Sequence, residues 1–169
     1  DEEETTVGSN TIASQDDSDC SDEASMDHHL DSFPDLTPGP DPPMSTIHPT
    51  AIIEGDVQLA DDVIIGPYCV VSGTVRMGAG TRLIAQCFVT GYADIGMNNT
   101  IWPGAVLGGP PQDLNFDHEC EQPGVIIGNG NMFREGATVH RGKTEEPTRI
   151  GNDNYFMTNS HVGHDTVMG

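Results

Sequence analysis

IHPTAI IEGDVQ LADDVI IGPYCV VSGTVR MGAGTR LIAQCF VTGYAD IGMNNT IWPGAV LGGPPQ, residues 47–112, is an unbroken run of six-residue units, each opening on Ile, Leu, Val or Met. The openers are Ile47, Ile53, Leu59, Ile65, Val71, Met77, Leu83, Val89, Ile95, Ile101 and Leu107. After an interruption the register resumes at Ile127, Phe133 and Val139, and after a second one at Ile150, Phe156, Val162 and Met168. Two further columns follow the same beat. The second position is often Gly (Gly66, Gly78, Gly96, Gly108, Gly128, Gly151, Gly163), and the fifth is small (Ala51, Cys69, Thr81, Ala93, Ala105, Ala137, Ser160). A helix repeats every 3.6 residues and a strand every 2, so a period of six fits neither alone. It predicts an all-β fold, a left-handed parallel β-helix of hexapeptide repeats with about six triangular coils.

In such a solenoid each hexad supplies a short strand and a bend, and three hexads close one coil. Backbone groups pair with the coils above and below at about 4.8 Å. The opening residue points inward and stacks on its equivalents, the small fifth residue fits the corner, and glycine serves the bend. The prism expected is roughly 25–30 Å long, stabilised by contacts between neighbouring coils.

Composition divides the chain. Residues 1–43 carry thirteen of the 27 acidic residues and no Lys or Arg. Such a segment buries too little apolar surface to offset its chain entropy, so we read a disordered acidic tail, closed by the proline-rich linker Pro34 to Pro43. His28 and His29 lie in it and receive no ligand role. The hexad body, 44–169, holds fourteen acids against six bases, a balance that argues against a nucleic-acid partner. Arg134, Arg141, Lys143 and Arg149 fall within sixteen residues and predict one local basic patch.

No charged-then-apolar leader opens the sequence, and no apolar run is long enough to span a bilayer. Cys20 falls in the tail, Cys69 and Cys87 in the fifth column, and Cys120 in a loop; none follows a zinc spacing or a disulfide framework. A cytoplasmic location is expected. The chain begins without Met and stops at Gly169, one residue after a hexad opens, so we expect further coils beyond it.

Chemistry is expected where the repeat breaks, because insertions in a solenoid project as loops. The first break runs roughly Asp113 to Ile126, and the second lies near Thr144 to Arg149. If each is an excursion between consecutive hexads, the hexads of Leu107, Val139 and Val162 are three apart and lie on one side of successive coils. Gln112, Asp113, His140, Arg141 and His164 then share a face within about 10 Å. His140, His161 and His164 occupy neither the opening nor the fifth position, which disfavours core packing. Histidine as a residue type titrates near pH 6.5, and its neutral ring can act as a general base. Asp165 follows His164 directly, although neighbouring side chains on extended backbone often diverge.

The segments Ile47-His48-Pro49-Thr50-Ala51-Ile52, Gly66-Pro67-Tyr68, Gln112-Asp113-Leu114, Glu135-Gly136-Ala137-Thr138-Val139-His140-Arg141-Gly142 and Asn159-Ser160-His161-Val162-Gly163-His164-Asp165 resemble the acyl-[acyl-carrier-protein]:UDP-N-acetylglucosamine O-acyltransferase family. That family, within the hexapeptide-repeat transferases, performs the first committed step of lipid A synthesis. The resemblance covers about residues 46–169.

The resemblance implies that His164 is the catalytic base and Asp165 its partner. The imidazole would deprotonate the sugar 3-hydroxyl of UDP-N-acetylglucosamine as it attacks the thioester of a 3-hydroxyacyl carrier protein. Gln112, Asp113, His140, His161 and Arg141 match positions assigned to substrate binding. Direct transfer requires no Ser or Cys nucleophile, no cofactor and no metal. A homotrimer with sites between neighbouring prisms is implied too. Asn115 departs from the pattern, standing where many members carry a basic residue.

Three other readings share the repeat. A γ-carbonic-anhydrase-like protein would hold zinc on three His, but His161 and His164 are too closely spaced for that class. A sugar N-acyltransferase or coenzyme A-dependent acetyltransferase keeps the chemistry and changes the substrates. A catalytically silent prism would serve as a scaffold.

Overall fold

The computed structural model describes residues 45–169; the tail and linker reading of residues 1–43 lies outside the described residues. All the regular elements among the described residues are parallel-paired strands, wound as the left-handed parallel β-helix that the period of six predicts. No helix among them is long and apolar enough to cross a membrane.

One face is a six-stranded sheet of Thr46–Ile47, Ile64–Ile65, Arg82–Leu83, Thr100–Ile101, Met132–Phe133 and Tyr155–Phe156. The other two faces are continuous in the first coils, because Ile52–Leu59 and Val70–Met77 each run round the corner between them. Beyond those coils they separate. Phe88–Val89, Val106–Gly109, Thr138–His140 and His161–Val162 extend the second face, and Tyr92–Ile95, Val125–Ile127, Thr148–Ile150 and Val167–Met168 extend the third. Register follows the hexads: Leu107 pairs with Val139 and Val139 with Val162, while Ile95 pairs with Ile127 and Ile127 with Ile150.

From Ile65 to Val162 the opening residues point into the prism and are buried, so burial forms columns. Ile65, Leu83, Ile101, Phe133 and Phe156 stack inside the first face, and the two Phe rings lie parallel with centroids 4.6 Å apart. Burying one such side chain contributes about 1.5–3 kcal/mol. The fifth column holds Val63, Cys69, Cys87, Ala93, Ala105 and Ala137, all buried. One corner is polar instead. Thr81, Asn99, Asn131 and Asn154 form a ladder in which Asn131 Nδ2 donates to Asn99 Oδ1 (3.1 Å) and Asn154 Nδ2 to Asn131 Oδ1 (3.0 Å). Thr81 Oγ1 closes it by accepting from the Asn99 N–H at 3.2 Å.

The turn lies elsewhere than the glycine column suggests. The left-handed residues sit at the fourth hexad position: Asp62, Tyr68, Gln86, Asn98, Asp153, Asn159 and Asp165 have φ between 53° and 63°, joined by glycines such as Gly80 and Gly104. Second-position glycines answer to space. A Cβ on Gly66 would stand 1.9 Å from the Ile84 carbonyl oxygen of the next coil.

Candidate active site

The corner between the second and third faces builds the site. In the first three coils the chain turns there through Gly55, Gly73 and Gly91, third-position residues with φ of 92°, 97° and 71°. A Cβ on Gly55 would meet the Gly73 carbonyl oxygen at 2.4 Å, so this corner excludes side chains. In the next coil the chain leaves the corner between Gly109 and Val125, and in the following one between His140 and Thr148. In the sixth coil the same third position is His164. The insertions therefore open a cleft directly before the first imidazole that the column admits.

Asp165 sits at the left-handed fourth position (φ 59°), which brings its carboxylate back beside its neighbour. His164 Nδ1 lies 2.8 Å from Asp165 Oδ2. The other carboxylate oxygen, Oδ1, accepts from the Lys143 N–H at 2.7 Å, the Thr144 N–H at 3.1 Å and the Thr144 hydroxyl at 3.2 Å. Burial pushes the Asp165 pKa up, but these bonds, led by the one from His164, outweigh it and hold the carboxyl at about 2. An ionised Asp165 only accepts, so Nδ1 of His164 carries the proton and Nε2 presents its lone pair.

His140 is fixed in the same tautomer by a different partner. Its Nδ1 donates to the Pro110 carbonyl oxygen at 2.5 Å, at the root of the first loop. Burial lowers its pKa, outweighing the Pro110 bond, which works the other way. His161 packs edge-on against it, with ring centroids 4.9 Å apart and planes at 76°, and its Nδ1 lies 2.8 Å from Thr138 Oγ1. Asp113 forms a salt bridge with Lys143 across the two loops; that bond and the Asn115 N–H hold its carboxyl below the usual range. Gln112 is exposed at the foot of the first loop. His164, Asp165, His140, His161 and Asp113 thus lie along one corner of three successive coils.

Arg141 departs from its expected place among the substrate-binding residues. It is buried, 4% exposed, and its guanidinium donates only to main-chain carbonyls: Gly108 (2.9 Å), His118 (3.2 Å) and Cys120 (2.9 and 3.1 Å). Its stem packs over Gly91, where the excursion of the intervening coil leaves a gap. Arg141 is the anchor of the first loop. The expected basic patch dissolves with it, because Arg134 is bound to Glu135 and stacked over Trp102, Lys143 holds Asp113, and Arg149 pairs with Glu146.

Sequence reasoning placed Lys143 in a basic patch and Thr144 at the second break, and missed that their main-chain N–H groups cradle Asp165. The available signal was that the second insertion starts one coil before the His-Asp pair, at the same corner. Among the described residues no three His, Cys, Asp or Glu side chains are grouped as a metal site needs.

No protein-family model matches the chain. Curated relatives named acyl-[acyl-carrier-protein]–UDP-N-acetylglucosamine O-acyltransferase match it over 128 residues: that of Thermodesulfovibrio yellowstonii is 41% identical and that of a Psychrobacter species 40%. Each match covers 75% of this chain and 49% of the relative, so the chain spans about half the length of the curated relatives it matches. Among solved structures, the UDP-N-acetylglucosamine O-acyltransferase of Moraxella catarrhalis superposes with a TM-score of 0.68 at 42% identity, covering 72% of this chain and 48% of that one. The Acinetobacter baumannii enzyme gives 0.68 at 41%, covering 72% and 47%. Over its repeat body, and over about half of the relatives' length, the chain is alike in residues and in backbone to the acyl-[acyl-carrier-protein]–UDP-N-acetylglucosamine O-acyltransferases.

Proposed function

We propose that the protein transfers a 3-hydroxyacyl group from acyl carrier protein to the 3-hydroxyl of UDP-N-acetylglucosamine; the names of its relatives describe O-acyl transfer between acyl carrier protein and that sugar nucleotide. The observation that carries this reading is the 2.8 Å bond between His164 Nδ1 and an Asp165 carboxylate held on its far side by three donors. That arrangement leaves Nε2 of His164 as the proton acceptor. Nε2 takes the proton of the sugar hydroxyl as the oxygen attacks the thioester carbonyl. Collapse of the tetrahedral adduct breaks the C–S bond, and the imidazolium returns the proton to the departing thiolate. The Asp165 carboxylate stabilises the imidazolium between the two transfers.

In this reading Asp113, His140 and His161 bind the sugar. His140, protonated on Nδ1, offers Nε2 as an acceptor for a substrate N–H or O–H. Family resemblance extends the reading to lipid A synthesis in the cytoplasm by a homotrimer, with sites between neighbouring prisms.

The test is His164→Ala in the full-length protein, assayed with 3-hydroxyacyl carrier protein and UDP-N-acetylglucosamine. His164 lies at the surface, so folding is retained while turnover falls at least about 10²-fold. Turnover equal to wild type rejects the base. Separate trials with coenzyme A thioesters and with amino-sugar acceptors distinguish the neighbouring acyltransferase chemistries.

A further inference from the structure

Both substrates of the proposed reaction bring phosphate to this corner, the sugar through its diphosphate and the carrier protein through the phosphodiester of its acyl-bearing arm. The chain supplies acid there. Asp113, Asp117, Glu119 and Glu121 lie in the first loop, Glu145 and Glu146 in the second. Six cations must answer that charge, and five are engaged or elsewhere. Arg76 pairs in register with Asp94 on the third face, and Arg82 lies on the first. Arg134 is bound to Glu135 and Tyr155, Arg141 is buried under the first loop, and Arg149 pairs with Glu146.

Lys143 is the chain's one lysine. Its main-chain N–H holds Asp165, and its ammonium, on a side chain 37% exposed, holds Asp113. It also lines an open groove of about 530 Å³ between the two loops, with Phe116, Pro123 and Thr144 and with the acidic Asp117 and Glu145, against which it is the groove's one cation. We propose that Lys143 is the phosphate-docking residue of this site, exchanging the Asp113 carboxylate for a substrate phosphate and releasing Asp113 to the sugar. The inference rests on the acyltransferase reading. An ion pair this exposed is weak, so the exchange costs little. A phosphate oxygen offers a lysine the same point-charge contact, with one negative charge behind it in a phosphodiester and two in the sugar nucleotide's diphosphate. Lys143 also supplies the charge that Asn115 withholds from the first loop.

Steady-state kinetics of the full-length protein, with each substrate varied separately, test the assignment in Lys143→Gln and Lys143→Arg. The Gln variant raises KM for a phosphate-bearing substrate about 10- to 100-fold with little change in kcat, and the Arg variant recovers most of the loss. Which KM rises, that of the sugar nucleotide or that of the carrier protein, identifies the source of the phosphate. Wild-type KM for that substrate also climbs with ionic strength, a readout that survives if the Gln variant folds poorly. Both KM values within about twofold of wild type, a fall confined to kcat, or a flat salt dependence overturns the proposal. A wild type that does not acylate UDP-N-acetylglucosamine overturns the functional reading first, and Lys143 with it.

Discussion

Asp165 bonds His164 through one carboxylate oxygen and three donors of the second loop through the other, so neither side chain is free to choose its orientation. Neighbours on extended backbone point apart. The pair converges because Asp165 takes the left-handed conformation that the fourth hexad position adopts along the prism.

Asp165→Asn therefore acts by reversing a tautomer. The N–H groups of Lys143 and Thr144 demand an acceptor, which turns the amide oxygen of Asn toward them and its NH₂ toward His164. Nδ1 must then accept, and the proton moves to Nε2, where it blocks base catalysis. We expect kcat to fall about 10²- to 10⁴-fold with the melting temperature little changed. A variant within tenfold of wild-type kcat refutes the dyad.

Arg141→Met separates anchoring from substrate contact. Methionine retains much of the packing over Gly91 but leaves the carbonyls of Gly108, His118 and Cys120 without their donor. Gly108 is buried, whereas the two loop carbonyls can return to water, so global stability drops by about 1–3 kcal/mol. The larger change is local: limited proteolysis should cut between Asp113 and Pro123 well before the prism unfolds. Denaturant melts and cleavage rates identical to wild type would return Arg141 to the substrate side.

The period of six made the prism legible, since Leu107, Val139 and Val162 stack as counting predicts despite two insertions of different length. It also placed His140, Asp113 and His164 at one corner. What it left hidden depends on direction and burial. Nothing in the spacing says that Arg141 turns inward to fill the gap above Gly91 while Lys143, two residues on, turns outward. Nor does a column of small residues announce that Asn99, Asn131 and Asn154 form a bonded ladder, because an isolated Asn at a corner is indistinguishable from a turn residue.

That ladder supplies a stability test far from the site. Asn131 Oδ1 accepts both the main-chain N–H (2.9 Å) and the side-chain amide (3.0 Å) of Asn154, while its own Nδ2 bonds Asn99 and the Gly151 carbonyl. Asn131→Ala takes their partner from the half-buried Asn154 amide and Gly151 carbonyl and leaves the buried Asn99 Oδ1 with the residue 131 main-chain N–H alone. A loss of about 2–4 kcal/mol is expected in urea melts. A change below about 0.5 kcal/mol would mean that water replaces the missing amide.

His140 links the site to acid stability. Burial lowers its folded pKa, whereas in the unfolded chain an imidazole titrates near 6.5. Above that value both states are neutral and the residue contributes no pH dependence. As pH falls through the unfolded value the unfolded chain takes up the proton first, so stability declines, and the decline ends only below the folded pKa. The bond to the Pro110 carbonyl favours the protonated ring, and burial outweighs it. Wild-type melting temperature should therefore drop as pH falls below about 7, and His140→Gln, whose amide can still donate to the Pro110 carbonyl, should show a shallower drop. Parallel slopes for the two proteins would mean that His140 protonates as readily folded as unfolded, and that its ring is not held neutral for the sugar.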